Sequence, residues 1–416
     1  MIPVAEASAR ILRRIEALPA ETVATGNAAG RVLAERVVSP LTSPPWDNSS
    51  MDGYAVRQAD MVAPRPAPAQ LRVVETVAAG GFPSRAIGPR EATRVMTGAP
   101  VPAGADTVVR REDTDEGRDI VTILKLRDVG RNIRKSGEDF RAGDILFDAG
   151  ELLRVAHIGA IASAGIKTVQ MHRAPRIALI SSGDELVELA DFTAEQASTR
   201  IVSSNSVTLA ALIRDAGGDP VDLGIARDDP ASLREKLSAA TGCDLIVTSA
   251  GISVGDHDHV RDVFAELGGE LDFWKVRMRP GAPLAFGTLL GKPWIGLSGN
   301  PVSAMVTFEV FVRPVIRKML GFTALFRETV PARLSRPITL AALLMHFLRV
   351  ALTRTGEGEY MADLSGSQSS SGLMAMARAN ALLILPGDRL ELAAGEIHRA
   401  LPLGDTMVMT DHLTLT

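Results

Sequence analysis

Between residues 176 and 321, short apolar runs alternate with stretches of helical period, and few folds accommodate that pattern. Runs at 177–181, 221–225 and 244–249 are each followed by helical spacing, as parallel strands joined by crossover helices require. Further runs at 273–277, 284–287 and 294–297 read as one strand and a returning pair. One intervening helix carries Leu209, Leu212, Ile213 and Ala216 and stops at Gly217-Gly218, and another opens with Asp229 as N-cap and Pro230 in the first helical position. A third carries Val260, Val263, Phe264 and Leu267 and ends at Gly268-Gly269, and the last spans 301–320. The region therefore predicts a doubly wound, mostly parallel α/β domain.

Flanking regions have another texture. Residues 40–137 are rich in Pro and Gly, with β-branched runs at 71–77 and 120–124 between turn dipeptides, so a small β-rich domain is expected. Residues 323–416 again read as strands and turns, with a Gly/Ser segment at 365–372 ahead of an apolar run at 382–385, and predict a C-terminal β-barrel. A chain of 416 residues exceeds what one core organises, and 46% hydrophobic against 23% charged residues is the balance of a chain that folds. Residues 1–19 interleave Ile2, Val4, Ile11, Leu12, Ile15 and Leu18 with charges, as an amphipathic helix rather than an export signal does. No apolar run approaches the ~20 residues that span a bilayer, and the run at 340–352 contains His346 and Arg349. A cytoplasmic location is expected. A net charge of −4 offers no broad basic surface to nucleic acid, and the single cysteine, Cys243, excludes a disulfide framework and a thiolate-built zinc site.

In a doubly wound sheet, ligands bind beyond the carboxyl ends of the strands. Here the first such loop is SSGDEL with Asp184 and Glu185, the second ARDDP with Asp228 and Asp229, and the third TSAGISVGDHD with Asp256 and Asp258. Helix capping explains any one of these acids. The set demands a compensating cation on one rim, and oxygen ligands without a His/Cys cluster suit Mg²⁺. Gly251 and Gly255 with Ser249 and Ser253 form one candidate anion cradle, and Ser298-Gly299-Asn300-Pro301, just ahead of Ser303, forms a second; tight turns into helices are the alternative reading of both. In FWKVRMRPG, strand alternation places Lys275, Arg277 and Arg279 on one face, where a phosphorylated ligand or open solvent would account for them. The β-rich region contributes PPWDNSSMDGYAV with Asp47, Asn48 and Asp52, and RVMTGAPVPAGAD with Thr97 and Asp106; alone, these read as hairpin turns.

Together the segments resemble the molybdopterin molybdenumtransferases, the family of bacterial MoeA and the gephyrin E domain. The similarity runs through WDNSSMDGYAV, RVMTGAPVPAGAD, GEDF, SSGDEL, TSAGISVGDHD, FWKVRMRPGAP, GNPVSA and ANALLILP in that order. It implies an extended linking domain of 1–44 plus 138–172, a β-rich domain of 45–137, a molybdopterin-binding α/β domain of 173–322 and a β-barrel of 323–416. It also implies a homodimer in which Asp52 and Thr97 of one subunit face the α/β cleft of the other. Glu185, Asp228 and Asp258 would be the functional acids, Asp228 and Asp258 holding Mg²⁺. The same resemblance directs Gly251, Ser253 and Lys275 to the pterin phosphate region and Arg279 and Arg349 to molybdate, with Ser298, Asn300 and Ser303 in the substrate cleft.

The implied activity is molybdenum insertion into adenylylated molybdopterin, with molybdate consumed and AMP released. A partner implied by that chemistry is the pterin adenylyltransferase that makes the substrate. Departures fall in the cleft. Where the family reads KPGKP this chain has Arg279 and Ala282, and Ala250 and Ser298 replace a usual Gly and Pro. The competing readings are the adenylyltransferase itself, whose single α/β domain is similar to 176–321, and a non-catalytic molybdopterin-binding scaffold. A nicotinamide enzyme is disfavoured, because no GxGxxG follows the first strand.

Overall fold

The computed structural model describes residues 1–62, 68–250 and 258–404. They separate into two compact units, Met1–Glu21 with His172–Thr416, and Thr22–Met171. A six-stranded sheet organises the first. Its strands are β1 (Arg176–Ser182), β2 (Asp219–Ala226), β3 (Leu245–Ser249), β4 (Glu270–Trp274), β5 (Ala285–Leu289) and β6 (Lys292–Leu297), in the order β2-β1-β3-β6-β5-β4. The first four in that order are parallel, and β5 pairs antiparallel with both β6 and β4. The mostly parallel sheet expected from the alternation is present, with the returning pair at its antiparallel edge. Because β2 and β3 flank β1 on opposite sides, the chain reverses direction there and opens a crevice at the carboxyl ends of β1 and β3.

Strand alternation divides the core between two layers. Ile177, Leu179, Leu245, Val247, Ile295 and Leu297 pack with Leu209 and Ile213 of α2 (Ser204–Asp215), while Ala178, Ile180 and Ile246 pack with Leu237 of α3 (Pro230–Ser238) and Val263 of α4 (Asp258–Glu266). The first layer also takes Ala7 and Ile11 of the N-terminal α1 (Val4–Arg13) and the long helical segment after β6. Arg10 of the same helix and Arg14 at its C-cap reach Asp272 at 3.3 and 3.7 Å. Among the described residues, no helix is long and apolar enough to cross a membrane.

Two elements depart from the sequence expectation. The helix expected over 301–320 is α5 (Pro301–Thr307), a π-helical turn Phe308–Val312 and α6 (Arg313–Met319). Pro314 has no N–H to give to the Val310 carbonyl, and the wider turn accommodates the missing bond. The strand expected over 273–277 stops at Trp274, because Lys275 adopts a left-handed conformation with φ +73° and breaks the extended path. Beyond it, Met278–Arg279 pairs parallel with Met345–Arg354 of the C-terminal sheet. Val276 and Met278 are buried while Arg277 and Arg279 are exposed. The strand and following turn expected to carry the three cations are therefore corrected to a crossing from one sheet to another.

That C-terminal sheet is a closed barrel of Val330–Leu334, Met345–Arg354, Tyr360–Leu364, Ala381–Leu385 and Ile397–Pro402, closure coming from Met345–Arg354 pairing on both sides. Leu348, Val350 and Leu352 fill its interior, so Phe347 and Arg349 point outward, and Phe347 joins the α/β core. In the second unit, a five-stranded sheet runs in the order Thr107–Arg110, Gly53–Val56, Glu91–Val95, Ala69–Val77, Ile120–Ile123. A separate core there joins Ala28, Leu33 and Val37 to Leu153, Ile161 and Val169.

Candidate functional site

Parallel β1, β2, β3 and β6 place their following loops on one edge. There the Asp184 amide donates to Asp228 Oδ2 at 3.4 Å and the Asp228 amide donates to Asp184 Oδ1 at 3.2 Å. The exchange fastens two loops and leaves both acids exposed to solvent. Glu185, also exposed, folds its carboxylate over Gly183, where a Cβ would lie 2.5 Å from Glu185 Oε2. Asp229 caps α3, accepting from the Ser232 amide at 2.8 Å, as its spacing predicts.

Arginines on the rim were not singled out by the sequence. Arg227 Nη1 donates to the carbonyls of Gly183, Asp184 and Leu186 at 3.4, 3.4 and 3.1 Å, and Arg200 Nη1 donates to the Asp184 carbonyl. Both guanidiniums are spent on main-chain carbonyls of the loop that carries Asp184 and Glu185. Among the described residues, no group of three His, Cys, Asp or Glu side chains is placed to hold a metal ion. Gly251, Ser253 and Asp256 lie outside the described residues; Asp258 opens α4, but its side chain is outside them too.

The floor of the crevice is polar and buried. Asn205, in the first turn of α2, donates through Nδ2 to Ser249 Oγ at 2.7 Å and to the Gly299 carbonyl at 2.9 Å, which ties the end of β3 to the loop after β6. Ser203 Oγ donates to Ser181 Oγ at 3.3 Å. Asn205 was missed because Ser-Ser-Asn-Ser before a helix reads as capping; its amide instead spans 94 residues of sequence to reach Gly299.

The second cradle is largely occupied by the protein itself. Ser298 Oγ accepts the Asn300 amide at 3.3 Å, and the Val302 amide donates to the Ser370 carbonyl at 3.1 Å. Ser298 and Ser303 are buried, and Asn300 keeps its side chain exposed. The start of α5 is thus a docking point for the Gly/Ser segment 365–372, with fewer amides to offer an anion than the sequence suggested.

Ala250, at the end of β3, has φ +68° and sits where an added Gly299 Cβ would be 3.0 Å from its own. An L-residue in that region costs roughly 1–2 kcal/mol, offset in part by the greater freedom of an unfolded glycine. Ala250→Gly is expected to stabilise the first unit by about 0.5–1 kcal/mol, seen as a rise of roughly 1–3 °C in its calorimetric midpoint. A lowered midpoint would refute the strain. Gly299→Ala should be tolerated better in the Ala250→Gly background than alone.

Cations approach the same edge from the barrel side. Lys275 Nζ lies 3.9 Å from the Trp274 ring centroid, and Arg279 pairs in register with His346. Arg349 is 0% exposed. Its Nη2 donates to the Ser367 and Ser369 carbonyls at 2.8 and 2.9 Å, while Nε and Nη1 are buried without a partner among the described residues. Burial alone pushes its pKa down, yet a guanidinium stays protonated. A desolvated cation with unused donors is costly in isolation and is matched by an oxyanion.

In the second unit, Asp52 and Thr97 are brought together. The Asp52 carboxylate accepts the Thr97 amide at 2.8 Å and its hydroxyl at 2.9 Å, and these bonds hold it below the usual carboxylate range. The segment resembling a hairpin turn therefore presents a fixed, exposed carboxylate.

Family comparisons account for the chain in sequence order. The MoeA N-terminal region (domain I and II) matches residues 2–165, a probable molybdopterin binding domain matches 178–318, and the MoeA C-terminal region (domain IV) matches 331–403. A molybdopterin molybdenumtransferase 2 of Mycobacterium tuberculosis is 39% identical over 381 residues, which cover 90% of this chain and 93% of that protein. A molybdopterin molybdenumtransferase of Staphylococcus aureus is 33% identical over 399 residues, 95% and 94% of the respective chains. The crystal structure of a molybdopterin biosynthesis MoeA protein from Pyrococcus horikoshii aligns with a TM-score of 0.80 at 28% identity, covering 97% of this chain and 100% of that one. With relatives matching nearly end to end in both sequence and fold, the chain belongs to the molybdopterin molybdenumtransferase (MoeA) family.

Proposed function

We propose that the protein is a transferase that inserts molybdenum into adenylylated molybdopterin, consuming molybdate and releasing AMP. The observation that carries this reading is Arg349, a fully buried guanidinium with Nε and Nη1 unmatched among the described residues, held by the segment that docks on the start of α5. A tetrahedral oxyanion supplies the acceptors it lacks. Arg279 adds a second positive charge for molybdate, and Lys275, Gly251 and Ser253 serve the terminal phosphate of the pterin. Ser298, Asn300 and Ser303 shape the cleft beneath them.

Asp228 and Asp258 would hold Mg²⁺, with Asp184 beside the first and Glu185 as a further functional acid. The donor set fits: Asp184 and Asp228 bring hard carboxylate oxygens together at the crevice mouth, with no competing thiolate or imidazole on those two loops. Bound there, the ion would neutralise charge on the diphosphate of the substrate. The protein's own part is to orient that diphosphate and to stabilise AMP as it leaves. A cytoplasmic homodimer would bring Asp52 and Thr97 from the second subunit, and the pterin adenylyltransferase would be a delivery partner.

Supplying adenylylated molybdopterin, Mg²⁺ and molybdate to the purified protein tests the reading. AMP and molybdenum-loaded pterin should appear together. Adenylyl transfer from Mg-ATP to molybdopterin, or inertness in both assays, would replace it with the adenylyltransferase or the scaffold.

A further inference from the structure

Within the segment that holds Arg349, the Gln368 side chain bonds back to the main chain of Arg349 itself. Its Oε1 accepts the Arg349 amide at 3.0 Å, and its Nε2 donates to the Arg349 carbonyl at 3.1 Å and to the Gly366 carbonyl at 3.3 Å. The side-chain amide thus imitates a neighbouring strand, pairing with both main-chain groups of one residue in the barrel. On either side of Gln368, the carbonyls of Ser367 and Ser369 both accept from Arg349 Nη2. Gln368 therefore ties the middle of the loop to the main chain of Arg349, and the carbonyls on either side of it hold Nη2 of the guanidinium.

Loop stability alone does not account for this arrangement. Two neutral carbonyls leave a buried positive charge uncompensated, and an apolar side chain at 349 would hold the segment with less desolvation. What the clamp does secure is the rotamer: with Nη2 committed to two carbonyls, Nε and Nη1 are left as the donors for an oxyanion, and the guanidinium is held in place before one binds. The next residue of the loop, Ser370, accepts from the Val302 amide, a second anchor that keeps the clamp against the start of α5.

We propose that Gln368 is a positioning residue for oxyanion binding, presenting Arg349 to molybdate; the inference rests on the molybdate site proposed above. Gln368→Ala removes the anchor and frees Nη2 to turn. Titration of the full chain with molybdate alone should then show a dissociation constant about tenfold higher, the size of one to two lost hydrogen bonds. In turnover, the KM for molybdate should rise in step while the KM for the adenylylated pterin stays put. Gln368→Met, which keeps length and bulk but neither donor nor acceptor, should behave alike and serves if the alanine variant does not fold. A lowered melting point with molybdate affinity within about twofold of the parent would reduce Gln368 to a loop brace and overturn the proposal. Arg349→Met separates the two levels. Loss of binding in Arg349→Met with parental affinity in both Gln368 variants defeats the positioning role only, whereas parental affinity in Arg349→Met defeats the site itself.

Discussion

An Asp228→Asn protein is expected to fold like its parent and to release AMP from adenylylated molybdopterin about a hundredfold to a thousandfold more slowly. The two halves of that expectation have separate causes. Asparagine keeps an oxygen that can accept the Asp184 amide, and the return bond uses the main-chain amide of residue 228, which the substitution does not touch. The fastening of the two loops therefore survives, and only one negative charge and one metal-competent oxygen are lost. Asp258→Asn carries the same expectation for rate. Asp229→Asn is the control: asparagine caps as well as aspartate, so α3 and the rate should both be kept. AMP formation followed by chromatography, beside thermal melts of each variant, reads both quantities. Parental rates in Asp228→Asn and Asp258→Asn would mean that these acids only tie loops together.

Local rules made the first unit legible wherever the cause of structure was local. Alternation located the strands of the sheet, Asp229 and Pro230 marked the start of α3, and Gly217-Gly218 marked the end of α2. The rule that ligands gather at carboxyl ends then pointed to the loops of Asp184 and Asp228, which the structure joins. Features set by partners far along the chain stayed hidden. Asn205 reads as helix-start polarity, and only folding shows it bridging Ser249 and Gly299. Arg227 reads as a surface charge, yet it spends its donors on three carbonyls of a loop more than 40 residues away. Lys275 sits in a run with strand-like alternation, and its left-handed turn follows from the chain having to leave one sheet and join the barrel. The second cradle looked open because its occupant, Ser370, lies 68 residues beyond Val302 in sequence.

Arg349→Met is expected to weaken molybdate binding by about a hundredfold or more while leaving the melting temperature unchanged or raised. Ordinarily, removing a fully buried side chain destabilises a protein. Here the side chain is a cation whose Nε and Nη1 have no partner among the described residues, so the folded state already bears its desolvation. Methionine fills most of the same length, takes up irregular packing and carries no charge to desolvate. The Ser367 and Ser369 carbonyls lose a donor, but both residues are exposed and water can take its place. A gain or no change in stability joined to loss of binding is the signature of a residue kept for its ligand against the interest of the fold. Arg349→Lys should not rescue binding, because a lysine offers a point charge in place of the planar donors fixed by the two carbonyls. If Arg349→Met melts well below the parent and still binds molybdate normally, the guanidinium is a structural strut and the oxyanion must bind elsewhere, with Arg279 the next side chain to test.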